Sequence, residues 1–243
     1  PGVLADYQCG AIFAQGGVIS NSQFFACNMS YGTIFAMASA TLYIEDCLFS
    51  GVSGVSGVVY SNGNKTRPPL IMRRTTLCGN SSSSFYLNSG DNEATWTFED
   101  CVFTNNSATV FNVASRGRVV CDRSLIADNV GAKYGVINPV AYCVETFRNC
   151  LIRGNCGKTV AGVTAKSASN TTFKFENCTV IGNSTESGSA AAIDIGGSGT
   201  GQYVTWVKNC IVWGNTGGSK QMSVDADKVF SSCYPEAVDG NAN

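Results

Sequence analysis

Apolar residues in this chain recur in short alternating runs, not in the stripes of amphipathic helices. The clearest unit is Cys210-Ile211-Val212-Trp213-Gly214-Asn215, which returns as Cys178-Thr179-Val180-Ile181-Gly182-Asn183, as Cys150-Leu151-Ile152-Arg153-Gly154-Asn155 and as Cys101-Val102-Phe103-Thr104-Asn105-Asn106. Looser copies begin at Ser124, Thr75, Cys47 and Gln23. Taking the first residue of each copy as an anchor, the anchors stand 23 to 32 residues apart, about 27 on average. Two residues after each anchor the chain is always apolar, from Phe25 and Phe49 through Ile152 and Val180 to Val212. Three residues before it stand Ile44, Met72, Phe98, Cys121, Phe147, Phe175 and Val207, with Ser20 the exception in the first copy. Between anchors lie further period-2 runs, many led by a small residue, such as Gly32-Thr-Ile-Phe35, Gly57-Val-Val-Tyr60 and Ala192-Ile-Asp-Ile195. Each copy therefore predicts two or three short strands parted by Gly, Ser and Asn turns, with little or no helix.

A strand-turn unit of this length cannot bury its apolar face alone, whereas stacked copies share one continuous core. The period is too short for a propeller blade, and the Leu-x-x-Leu-x-Leu frame of leucine-rich repeats is missing. The expected fold is all-β: a right-handed, single-stranded parallel β-helix of eight to nine rungs. One domain is expected over residues 1–243, with anchored rungs over about 8–235 and a polar tail at 236–243.

Composition narrows the functions open to such a coil. Lys and Arg number 16 against 17 Asp and Glu, a net charge of -1, which supplies no basic footprint for nucleic acid. Histidine is absent, which removes Ser-His-Asp and Cys-His catalysis and imidazole metal sites. Only 14% of residues are charged and 44% are hydrophobic, which argues for a folded chain, yet no apolar run is long enough to span a bilayer. The 12 cysteines lack paired C-x₂₋₄-C spacings, so zinc is not expected, and no motif calls for a cofactor.

The repeated polar residues read as ladders. Cys150, Cys178 and Cys210 should form a column of small thiols, because free Cys packs as a small hydrophobe and parallel Cβ vectors suit a disulfide poorly. The off-frame Cys9, Cys27, Cys78, Cys143, Cys156 and Cys233 are the candidates for disulfides in an oxidising compartment. Asn155, Asn183 and Asn215 share one offset with Asn28, Asn80, Asn106 and Asn129, Val52 being the gap; stacked amides satisfy one another rung after rung. Seven Asn-x-Ser/Thr sequons occur, three of them (Asn28, Asn80 and Asn183) at this offset. One and two residues before the anchors, Glu45, Asp46, Arg73, Arg74, Glu99, Asp100, Asp122 and Arg123 set acid beside base on successive rungs, each exposed pair adding roughly 0.2–1 kcal/mol.

The Phe175-Glu-Asn-Cys-Thr-Val-Ile-Gly-Asn183 frame, with the closing Cys210–Asn215 and Val229-Phe-Ser-Ser-Cys233, resembles the right-handed parallel β-helix repeat proteins of bacterial secreted and surface type, with pectate-lyase-like architecture. The polymorphic outer-membrane proteins are a distant likeness, their Gly-Gly-Ala-Ile motif surviving only as Cys9-Gly-Ala-Ile12. The resemblance implies architecture more than activity, since one such coil hosts lyases, hydrolases, adhesins and inert stalks. Enzymes on this fold gather carboxylates, Ca²⁺ or an Arg or Lys base at one place. The weak candidates here are Asp194 with Lys166, and Asp91 with Glu93 for a metal. Trp96, Trp206, Trp213 and Tyr203 are candidates for stacking on sugar rings. The expected function is a non-catalytic extracellular or cell-surface rod, structural or adhesive, that self-associates through its rung ends or flanking sequence into a filament. The alternative is a coil that binds or cleaves polysaccharide.

Overall fold

The computed structural model describes residues 11–29, 32–36, 40–54, 57–62, 69–88, 94–114, 116–139, 142–165, 171–188, 190–195 and 205–235. They wind into a parallel β-solenoid of about seven turns with three long faces. The first sheet runs Ile12–Ala14, Ile34–Ala36, Val59–Asn62, Phe85–Asn88, Phe111–Val113 and Ile137–Pro139. Its line is continued by Thr164–Ala165, Ala190–Asp194 and Lys220–Ser223. The second sheet has nine strands, from Gly17–Ser20 through Val144–Arg148 and Thr172–Glu176 to Val229–Phe230. The third has eight, from Gln23–Phe25 to Ile211–Trp213. Every pairing between these strands is parallel, and nine strands at ~4.8 Å make a rod about 40 Å long. A single 3-10 turn, Ala226–Lys228, is the only helical element among the described residues.

Two left-handed corners bend each turn. The residue before each anchor takes positive φ: Asp46 (55°), Asp100 (55°), Asn149 (54°), Asn177 (54°) and Asn209 (52°), with Arg74 and Arg123 in the same role. Asn and Asp tolerate that conformation best, which accounts for their recurrence there. The second corner follows the third sheet, at Gly51, Gly79, Asn105, Asp128, Gly154, Gly182 and Gly214. Between corners buried and more exposed residues alternate on strands such as Leu42–Glu45, Leu70–Arg73 and Ala94–Glu99. Phe173 and Phe175 are buried while Thr172, Lys174 and Glu176 are half-buried. Inward aromatic rings stack from turn to turn, Phe147 on Phe175 at 5.2 Å and Phe85 on Phe111 at 5.4 Å. Phe98 and Phe103 close around Phe85 and Phe111 to fill the middle of the lumen.

The structure corrects the sequence reading in two places. The coil makes about seven turns, not eight to nine. The first copy is also displaced by one residue. Gln23 pairs with Leu48 and Ile19 with Ile44, so the anchor is Ser22 and the exception at Ser20 disappears. Phe24, not Phe25, stacks on Phe49 (4.6 Å), and Phe25 is left 58% exposed. A one-residue slip exchanges the faces of a strand, and three consecutive residues, Gln23-Phe24-Phe25, fit the apolar pattern in either register.

Candidate functional site

The anchor column is a hydrogen-bonded chain. Leu151, Thr179 and Ile211 are in register, which sets Cys150, Cys178 and Cys210 one above another. Each Sγ or Oγ donates to the carbonyl two residues earlier: Cys150 to Arg148 (3.1 Å), Cys178 to Glu176 (3.3 Å), Cys210 to Lys208 (3.2 Å) and Ser124 to Asp122 (2.9 Å). It also accepts the anchor N–H of a neighbouring turn, as when Cys178 N–H reaches Cys210 Sγ (3.4 Å) and Cys210 N–H reaches Ser232 Oγ (3.1 Å). Burial pushes the Cys101 thiol up to about 12. Bonding to Cys150, with burial behind it, raises Cys178 to about 12, and contact with Cys121 and Cys178 respectively raises Cys150 and Cys210 further. Thiols held this far from ionisation are poor nucleophiles. Of the off-frame cysteines, Cys27, Cys78, Cys143, Cys156 and Cys233 are all free, which removes the disulfide expectation for them; Cys9 lies outside the described residues.

At the second corner Asn80, Asn106, Asn129, Asn155, Asn183 and Asn215 are fully or almost fully buried. Asn155 Oδ1 accepts from Asn129 N–H (3.1 Å) and Nδ2 (2.9 Å), while Asn155 Nδ2 donates to Ile126 O (3.0 Å) and Asn183 Oδ1 (2.9 Å). The same pattern repeats down to Asn215, whose N–H and Nδ2 both meet Gln221 Oε1. Gln221, from the strand Lys220–Ser223, caps the ladder, and its distance from the repeat frame hid it from sequence reading. Asn28 is not a member: it pairs with Ser53, so Cys27 stands opposite Val52. The buried sequons Asn80 and Asn183 are closed to modification in the folded coil, whereas Asn105 and Asn177 are exposed.

The charge columns close into ion pairs on the outer rim of the first corner. Arg73 reaches both Glu45 (3.1 Å) and Glu99 (2.9 Å), Arg74 reaches Asp46 (2.8 Å), and Arg123 bridges Asp100 (2.9 Å) and Asp122 (2.8 Å). The guanidiniums of Arg74 and Arg123 hold Asp46 and Asp100 below the usual carboxylate range. Glu99 and Asp122 are neighbours of like sign, and each draws on an arginine. Past Arg123 the rim turns to amides, with Asn177 donating to Asn149 and Asn209 to Asn177 at 3.2 Å.

Large apolar side chains are exposed toward both ends of the coil, with Val18 and Phe25 on the first turn. Leu151, Ile211, Trp213 and Phe230 are exposed, Trp213 by 52%. An open groove of about 450 Å³ is lined by Arg153, Gly154, Ile181, Gly182, Trp213 and Gly214. No atom lies within 4 Å of where a Cβ on Gly182 or Gly214 would sit, so the groove floor is bare backbone. Arg153 is held at its edge by Asp128 (3.4 Å). On the adjoining face Trp206, under the Lys174 ammonium (4.4 Å) and bonded through Nε1 to Glu176 (2.9 Å), lines a second groove with Lys208 and Phe230. Trp96 is buried in the core and Tyr203 lies outside the described residues. Asp194 is half-buried on the strand Ala190–Asp194, in register with Ala165 and Ser223; Lys166, Asp91 and Glu93 lie outside the described residues. Among the described residues no group of three or more His, Cys, Asp or Glu side chains could hold a metal ion, and no helix is long and apolar enough to cross a membrane.

Glu145 was missed by sequence reading. It is fully buried, in register between Val119 and Phe173, and neither carboxylate oxygen has a hydrogen-bond partner. Burial alone raises its carboxyl well above the ordinary glutamate range. The signal was available: five residues before successive anchors stand Leu42, Leu70, Trp96, Val119, Glu145 and Phe173, an inward column with one acid in it. No family model, curated protein or solved structure matches the chain.

Proposed function

We propose that this chain is a non-catalytic rod of an extracellular or cell-surface protein, a structural and adhesive module. The observation that carries this reading is the division of labour along the coil. The anchor thiols, the Asn column and most rim charges are engaged in bonds between turns, while large apolar side chains are exposed at both ends of the coil, Val18 and Phe25 on the first turn and Ile211, Trp213 and Phe230 on the last ones. The first arrangement stiffens the rod; the second offers an interaction surface of the kind that protein surfaces otherwise keep small. The resemblance to secreted and surface β-helix proteins supports placement outside the cell. Incubation with a panel of acidic and neutral polysaccharides is expected to release neither unsaturated nor reducing ends. Turnover abolished by Asp194→Ala would overturn the non-catalytic reading in favour of a lyase or hydrolase. Labelling of intact cells with an antibody to the rod tests the location.

Glycan binding without cleavage is a second reading, favoured by the exposed Trp213 ring over the glycine-floored groove. Affinity electrophoresis in gels containing glucan or polyuronate, with Trp213→Ala as control, tests it. Self-association is favoured by column chemistry: Val229 and Ser232 on the last turn match Ile19 and Ser22 on the first, so a second copy would extend the same columns. Light scattering that finds compact monomers across a wide concentration range would exclude a filament.

A further inference from the structure

Two unpartnered polar side chains face the lumen of one turn. Glu145 enters from the second sheet, and Thr164, which follows the Ile137 column of the first sheet, brings a buried Oγ1 with no partner. The Asn and anchor columns satisfy one another from turn to turn, and the other buried polar side-chain atoms without a partner among the described residues are the neutral groups of Thr33, Ser61, Ser82, Ser84 and Trp96. Glu145 is the acid among them, and a carboxyl between Val119 and Phe173 has no equivalent above or below to bond with. The surroundings are apolar. On the neighbouring strands the inward residues are Val119 and Cys121 on one side and Phe173 and Phe175 on the other, with Phe147 on its own strand. Across the lumen stand Ile126, Ile152 and Val180 of the third sheet and Ile137 of the first. The inward ionisable groups nearby are the buried thiols Cys121, Cys143 and Cys150. Arg118, Asp122, Arg148, Lys174 and Glu176 occupy outward or corner positions of the same strands, and none of them contributes to the perturbation of Glu145.

An isolated carboxylate in such a site is far costlier than the neutral acid. We propose that the turn from Val144 to Ala165 is a pH-controlled joint in the rod: it stays stacked while Glu145 is protonated, and loss of that proton frees the strand Val144–Arg148 from its neighbours. The direction follows from linkage. The folded form binds the proton more tightly than the opened form, so closure is fully favoured below the ordinary glutamate range and weakens as pH rises above it. For each pH unit over which only the closed form keeps the proton, the opening constant rises about tenfold. A rod with one such joint stiffens in acid and loosens at its middle toward neutral and alkaline pH. This inference does not depend on the adhesive reading.

Native-state hydrogen exchange on the full chain between pH 5 and 8, expressed as protection factors, tests the proposal. Amides of Val144–Arg148 and of the facing strands Gly117–Asp122 and Thr172–Glu176 should lose protection by up to about tenfold per pH unit beyond the trend in Glu145→Gln. Those of Leu42–Glu45 should not respond. Identical pH trends in wild type and Glu145→Gln would overturn the joint. Infrared spectroscopy of the unmutated protein gives a reading independent of how the variant folds. A protonated carboxylic acid band persisting at neutral pH supports the proposal, and its absence at pH 6, with the coil intact, overturns it.

Discussion

Truncating Asn155 should be among the most damaging single changes outside the apolar core. Its Oδ1 is the acceptor for two donors of Asn129, and its Nδ2 serves Ile126 O and Asn183 Oδ1. Asn155→Ala leaves the Asn129 N–H, the Asn129 Nδ2 and the Ile126 carbonyl buried without that partner. Asn183 Oδ1 keeps the backbone N–H of residue 155 (3.0 Å). The Asn129 N–H and one Nδ2 hydrogen are orphaned at ~1–3 kcal/mol each, Nδ2 keeping Phe103 O (3.0 Å); with the lost contact to Ile126 O the expectation is about 3–6 kcal/mol. That is a large share of the ~5–15 kcal/mol stability of a typical domain. Asn177 in the next turn is the matched control. It is exposed at the first corner, with φ of 54° and two 3.2 Å amide contacts on the solvated rim. Asn177→Gly keeps the left-handed corner and should cost under about 1 kcal/mol. Urea unfolding followed by circular dichroism separates the two. An Asn155→Ala variant within about 1 kcal/mol of wild type would show that the ladder is incidental packing.

Other expectations follow from the same geometry. Brief alkylation of the native protein with iodoacetamide, read by peptide mass spectrometry, should modify the partly exposed Cys27, Cys78, Cys156 and Cys233 and spare Cys101, Cys150, Cys178 and Cys210; labelling of Cys178 at the rate of Cys233 would contradict a closed thiol column. Arg123→Ala should lower the thermal midpoint slightly at low salt and not at 1 M salt, because Asp100 sits on the solvated rim and the buried Asp122 keeps Arg148 (3.7 Å) and Asn149 (2.8 Å); a salt-independent loss would mean that the side chain packs rather than pairs. Gly157→Ala would place a Cβ 1.8 Å from the Ala161 carbonyl oxygen and should cost at least about 1–3 kcal/mol through backbone displacement. Gly182→Ala has free space but a φ of 61°, so it should cost about 1–2 kcal/mol and be largely relieved in Gly182→Asn.

Much of this molecule is written in its sequence at the level of period and offset. Spacings near 27 residues place Cys150, Cys178 and Cys210, then Asn155, Asn183 and Asn215, at equal positions of successive turns, because only stacked copies bury their apolar offsets together. The opposed charges at Asp46, Arg74, Asp100 and Arg123 were legible for the same reason. Position within a repeat fixes the cross-turn neighbour when the register is sharp. It was not sharp in the first copy, where Phe24 and Phe25 both satisfy the pattern and only pairing with Leu48–Ser50 chooses between them. Three-dimensional closure decided the rest. It alone chose Gln221 as the end cap of the Asn column, left Trp213 on the outside while burying Trp96, and turned the acid at position 145 into the lumen without a partner. Periodicity reports what turns share; a cap, an exposed ring or an unpaired acid is a departure at one turn, and its consequence depends on what the coil brings across from the other faces.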